Sequence, residues 1–235
     1  MTERLYEQDG YLQRCDAVVA AAGDGAVVLD RTVFYALGGG QPGDTGYLEW
    51  GDGRRLPVLD TRKGEGDDIL HVVEAGAALP PVGTPVIAVI DWQRRHRHMR
   101  MHTCLHLMCA LVDAPVTGGN LTAEKGRLDF DLPESTVDKD VLSEGLNALV
   151  GRDIATSTEW ISDAELDAQP ELVKTMSVAP PRGAGRVRLL SIPGVDLQPC
   201  GGTHVARTGE IGRVRVTRIE KKSRLNRRIV VVLED

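Results

Sequence analysis

Apolar positions fall into two regimes along this chain. Up to about Asp91 they come as short runs broken by Gly, Asp and Pro. Ala17-Val18-Val19-Ala20 and Ala26-Val27-Val28-Leu29 flank Gly23-Asp24-Gly25, the spacing and turn chemistry of a β-hairpin. Residues 46–50, 56–59, 69–73 and 85–90 extend the series. Short strands at this spacing predict a small β-barrel domain over residues 1–90.

Beyond Asp91 the period lengthens. Asp91 is a suitable N-cap for a helix through about Leu111, with Met101, Leu105, Met108 and Leu111 facing a core. Residues 115–120 read as a turn and 126–132 as a strand. Residues 137–150 read as a second helix, with Val141, Leu142, Leu146 and Leu149 at helical spacing. A strand over 153–161 leads into a short acidic helix from Ser162 that stops near Pro170. Residues 176–185, rich in Pro and Gly, read as a loop. Strands over 186–191, 212–219 and 228–233 follow, which makes residues 91–235 an α+β domain.

Composition narrows the class without changing this picture. With 235 residues and 42% hydrophobic positions the chain can bury a core unaided, and only 4% of it is aromatic. Four cysteines in this length do not form a disulfide framework, so a reducing cytoplasm is the expected compartment. The charged start from Met1 to Glu7 is unlike a secretory leader, and no apolar run approaches the roughly 20 residues of a membrane helix.

The net charge is −6, yet between Arg182 and Arg228 twelve Lys and Arg stand against three Asp and Glu. A second basic cluster comprises Arg94, Arg95, His96, Arg97, His98 and Arg100. Both flank the candidate chemistry described next, where a polyanionic substrate would be steered. A merely solvated basic face is the alternative.

That chemistry lies in two short pieces. His102 and His106 are four apart in a glycine-free apolar run, so a helix points both imidazoles off one face. Cys200-Gly201-Gly202-Thr203-His204 repeats the spacing with glycines that suit a tight turn. A lone histidine here would more often be a satisfied core residue. The two pairs together offer three nitrogens and one sulfur, a set that suits one tetrahedral zinc ion. Cys104, two residues from His102, falls on another helix face, while Cys15 and Cys109 read as small core hydrophobes. A third feature is Gly38-Gly39-Gly40-Gln41, within residues 34–46. It permits close backbone approach or dihedrals closed to other residues; by itself a flexible turn is the simpler account.

These segments resemble the free-standing alanyl-tRNA editing proteins, the AlaX family, and the editing domain of alanyl-tRNA synthetase. The resemblance rests on residues 34–46 with their Gly-Gly-Gly-Gln-Pro core, and on His98-Met99 followed by His102–His106. Residues 116–131 and 197–212, the latter with Cys-Gly-Gly-Thr-His-Val and Thr-Gly-Glu-Ile-Gly, complete it, and Asn226-Arg227-Arg228-Ile229 also fits. It covers nearly the whole chain, and the glycine-rich N-terminal segment is similar to that of the longer AlaX forms. The resemblance implies a β-barrel followed by the α+β editing domain shared by threonyl- and alanyl-tRNA synthetases.

It also implies hydrolysis of the ester on mischarged tRNA(Ala), chiefly Ser-tRNA(Ala), with Gly-tRNA(Ala) second. His102, His106, Cys200 and His204 would hold one Zn2+ and form the catalytic centre. Gly38, Gly39, Gly40, Gln41, Asp44, Thr103 and Thr203 would contact substrate, although ordinary capping or bonds to the ligands account equally well for the two threonines. Zinc lowers the pKa of bound water from about 15.7 to about 7, or polarises a carbonyl. A closed four-ligand site leaves no open position, so metal that mainly orders the site stays an alternative. The competing class is a non-catalytic tRNA-binding module with structural zinc.

Overall fold

The computed structural model describes residues 1–112, 114–132, 137–175 and 185–234. The chain divides into two compact units, Met1–His96 and Arg97–Asp235.

Nine strands precede the first α-helix: β1 (Glu3–Arg4), β2 (Arg14–Gly23), β3 (Ala26–Leu29), β4 (Arg31–Thr32), β5 (Gly46–Trp50), β6 (Arg54–Val58), β7 (Asp60–Lys63), β8 (Ile69–Val72) and β9 (Pro85–Ile90). The expected hairpin joins β2 to β3. Asp24 and Gly25 both take positive φ there (51° and 74°), as a two-residue turn matched to strand twist requires. Seven strands make one sheet in the order β6-β5-β9-β2-β3-β8-β7. Long β2 belongs to both halves: Arg14–Val18 pair with β9, and the part from Val19 to Gly23 pairs with β3 across a register shift between Val19 and Ala21. Such a bulge bends the strand and turns the sheet.

The edges, β6 and β7, are separated in sequence by Leu59 alone, so the sheet curls until they meet at that corner. No ladder joins them among the described residues. The closed barrel expected from the sequence is therefore not found among these residues; the strands form an open sheet that buries Val19, Val27, Leu29, Phe34, Leu48 and Ala88.

Helix α1 (Trp92–Leu111) opens with Asp91 accepting from the Arg94 amide (3.1 Å), the cap that the sequence indicates. Met101, Leu105 and Met108 are buried as expected, whereas Leu111, at the helix end, is exposed. In the second unit β10 (Val116–Leu121), β11 (Lys125–Asp131), β15 (Val214–Lys221) and β16 (Asn226–Leu233) form an antiparallel sheet in the order β10-β11-β16-β15. A side chain at Gly126 would lie 2.7 Å from Met101 Sδ, so a glycine lets α1 settle directly on the sheet. That contact sets the height of His102 and His106.

Residues 115–120, read as a turn, instead contribute β10. Its pairing with β11 runs from Val116–Phe130 to Leu121–Gly126 with one register shift, and this long-range ladder overrides the local turn composition. Helix α2 (Lys139–Gly151), capped by Asp138, covers the edge strand β15. Asn147 pairs its amide with Val214 N and O, and Ser143 Oγ accepts from Val216 N.

The second sheet is β12 (Ser157–Ser162), β13 (Arg186–Ile192) and β14 (Asp196–Pro199) in sequence order, and the sequence reading did not anticipate β14. Helix α3 (Asp163–Asp167) carries a Ser162/Glu165 capping box, and Leu166, Leu172, Val187 and Leu189 form the core beneath. The loop expected over 176–185 lies outside the described residues except for Gly185. Among the described residues no helix is long and apolar enough to cross a membrane.

Candidate metal centre

His102 and His106 stand one turn apart on α1, with ring centroids 5.3 Å apart. Cys200 follows β14 directly, and its amide donates to Arg188 O (3.0 Å), which extends the β13–β14 ladder by one step. Arg188 then donates through Nη1 to the carbonyls of Cys200 (3.2 Å) and Gly202 (2.7 Å), fixing the turn that returns His204 to the helix. One nitrogen from each histidine and the Cys200 sulfur all lie within 4.8 Å of one another.

The tautomers follow from the neighbours. Asp196 Oδ2 accepts a hydrogen bond from His106 Nδ1–H (2.9 Å), which leaves Nε2 to face the cluster. Thr103 gives its only hydroxyl proton to Met99 O and accepts from the Val205 amide. His204 Nδ1, 3.3 Å away, is therefore the donor, and its Nε2 is turned inward. Cys200 Sγ lies 3.2 Å from His204 Nε2 and 3.6 Å from His102 Nε2. Around tetrahedral zinc, with bonds of about 2.0–2.3 Å, neighbouring donors stand roughly 3.3–3.6 Å apart, and the two Cys200 separations lie close to that range.

Electrostatics prepare the same set. Burial alone would push the Cys200 thiol up, but His102, His204 and His106 outweigh it and hold the thiol well below its usual range. Burial pulls His106 down, yet the Cys200 sulfur and Asp196 raise it to about 9. His204 is pushed down to about 3, chiefly by burial. The three histidines are 7–8% exposed, and Cys200 is partly exposed. The four-residue group as a whole is sheltered from solvent.

Comparison with known proteins shows what the chain as a whole is similar to. Residues 187–230 match the family described as the threonyl and alanyl tRNA synthetase second additional domain, and residues 10–94 match that of class II (A) tRNA synthetases. The alanyl-tRNA editing protein AlaX-M of Saccharolobus solfataricus is 34% identical over 97% of this chain and 98% of its own length. AlaX-M of Methanosarcina acetivorans is 36% identical over the full length of both. The chain belongs to the AlaX family. An alanine–tRNA ligase from Metallosphaera sedula is also 35% identical over 94% of this chain, which corresponds to only 25% of the ligase.

The other residues expected at the AlaX site are placed as follows. Gly38 and Gln41 bond reciprocally (3.1 and 3.0 Å) across Gly39 and Gly40, whose φ values of 56° and 82° require glycine. Tyr35 OH also donates to Gly38 O (2.8 Å), so this turn is a fixed hairpin rather than a flexible one. Asp44 lies beneath it, buried, and accepts from Arg95 Nε (2.8 Å), Arg95 Nη2 and the Tyr35 amide (2.7 Å). Thr103 and Thr203 are fully buried, and Thr103 supports His204.

Cys104 is buried away from the donor set, and burial pushes its thiol up to about 12. Sequence reasoning missed Asp196, Lys174, Gln198 and Arg188. Asp196 accepts from Lys174 Nζ (2.7 Å) and Gln198 Nε2 (2.6 Å) as well as from His106. The Asp at 196, four residues before Cys200, was the one available signal.

Proposed function

We propose that this chain is a zinc-dependent deacylase that hydrolyses mischarged tRNA(Ala), chiefly Ser-tRNA(Ala) and secondarily Gly-tRNA(Ala). The observation that carries the reading is the convergence of His102, His106, Cys200 and His204 in a family whose members are named for alanyl-tRNA editing. Zinc held by these residues supplies Lewis acidity to an ester that is already activated. The protein's own part is orientation. Asp196 and Thr103 fix the imidazoles, Arg188 fixes the turn, and the buried setting strengthens polar contacts to a substrate.

Serine has a hydroxyl that alanine lacks, and a site that pairs that hydroxyl rejects alanine because its polar groups would stay unpaired. Gly38, Gly39, Gly40 and Gln41 are the substrate contacts in this reading, with Asp44 holding their turn and Thr103 and Thr203 supporting the ligands. Four free cysteines suit a cytoplasmic protein.

One observation favours a second reading. Four protein donors close a tetrahedral zinc, as in structural sites, and a tRNA-binding module without turnover would use them so. A deacylation panel over Ser-, Gly-, Ala- and Thr-tRNA separates the two. The deacylase reading predicts rapid release of serine, slower release of glycine and sparing of alanine. Salt-dependent tRNA binding with no hydrolysis above background would establish the second.

A further inference from the structure

Of the nine aromatic side chains, Trp160 alone is exposed, at 40%. It lies on β12, the edge strand of the three-stranded sheet, directly opposite Arg188 on β13. Arg188 in turn is bonded through its carbonyl to the amide of Cys200. Trp160, Arg188 and Cys200 therefore form one row across the sheet, and directly opposed residues share a face. At about 4.8 Å per strand, Trp160 stands roughly 10 Å from the candidate ligand along that row.

The rest of this face is closed. Leu190 and Ile192 are completely buried, and Asp196 is held against His106 of α1. At the Trp160 end it is open: Arg186, paired with Ser162 and exposed, lays its guanidinium 4.3 Å from the Trp160 ring centroid. The opening thus presents an aromatic surface and a cation at the end of the row that leads through Arg188 to Cys200.

We propose that Trp160 and Arg186 form the seat for the last unpaired nucleotide of the nucleic acid that delivers the ester. The base stacks on the indole, the guanidinium takes the adjoining phosphate, and the ribose with its ester points along the row towards Cys200. Stacking on an exposed ring tolerates any base, and an arginine at its side adds cation–π and phosphate contacts. The local excess of positive charge between Arg182 and Arg228 suits a polyanion better than an apolar peptide. This inference rests on the deacylase reading for its ester, but not for its nucleotide.

The test uses a fluorescein-labelled single-stranded oligoribonucleotide ending in CCA, titrated by anisotropy at low and high salt. Wild type should bind it. Trp160→Ala should weaken binding at least about fivefold, Trp160→Phe should recover most of it, and Arg186→Ala should also reduce the salt dependence. On Ser-tRNA(Ala), Trp160→Ala should raise KM with little change in kcat, while hydrolysis of serine methyl ester should stay at the wild-type rate. Absent binding by wild type, or equal binding by wild type and Trp160→Ala, overturns the proposal. Oligonucleotide binding that depends on Trp160 without any deacylation overturns the deacylase reading and leaves the nucleotide seat supported.

Discussion

Each unit buries polar side chains, and the two do so to opposite ends. In the first, Arg95 is fully buried and spends its guanidinium on Asp44, Gly10 O (3.0 Å) and Val33 O (2.7 Å). His71, also fully buried, uses Nδ1 on Val27 O (2.9 Å) and Nε2 on Thr32 (2.8 Å). Their polar atoms are directed at protein partners. In the second unit, Asp196 and Thr103 occupy one nitrogen each of His106 and His204, and the opposite nitrogens converge with His102 and Cys200. Burial with every hydrogen bond matched builds a core. Burial that leaves lone pairs aimed at one point builds a ligand site.

The largest effect should come from breaking the matched set. Arg95→Met leaves the Asp44 carboxylate buried without its main partner, and should cost about 3–5 kcal/mol in denaturant unfolding. Replacing both residues with apolar ones of similar volume should restore much of that loss. Full stability in the single variant would show that the pair is not the keystone of the first unit.

Next in size is a pH effect. Burial pushes His71 down from 6.5 to about 4, with the bond to Val27 opposing. Above pH 6.5 the ring is neutral both folded and unfolded, and stability does not depend on it. As pH falls from 6.5 towards 4 the unfolded chain takes up a proton that the folded one refuses, so about 3 kcal/mol is lost. Urea unfolding across this window should show the slope, and His71→Gln should flatten it. An unchanged slope in the variant would assign the pH dependence to other groups.

The third prediction concerns the convergent set. Asp196→Asn keeps the shape but weakens the acceptor behind His106, and should lower zinc affinity by roughly 10–100-fold in competition with a chromophoric chelator. Unaltered affinity would remove Asp196 from the site. Smallest is Cys104→Ala, which should cost about 1 kcal/mol for a minor cavity and leave zinc affinity at the wild-type value. Loss of the metal in that variant would mean that the sulfur belongs to the centre after all.

The two units were also unequally legible in sequence. His102, His106, Cys200 and His204 could be read because helix spacing and a double-glycine turn are local, and strands such as Gly46–Trp50 and Pro85–Ile90 announce themselves through short apolar runs. Arg95 and His98 were counted with a basic cluster flanking the candidate site, yet both are buried, since charge counts do not tell which helix face a residue occupies. Arg188 and Arg227, in the basic C-terminal segment, are buried for the same reason. Strand β14 has only four residues without apolar alternation, and Asp196, the carboxylate behind His106, was hidden with it. Whether the edge strands β6 and β7 pair, as a closed barrel needs, is not encoded in the short apolar runs, and in the structure the sheet stays open there.

The central claim is that the four converging donors serve hydrolysis as well as structure. The most direct measurement is serine release from Ser-tRNA(Ala) by zinc-loaded wild type and Cys200→Ala, side by side at equal folded concentration. The deacylase account predicts a loss of about 100-fold or more in the variant. Equal rates in the two proteins would contradict it.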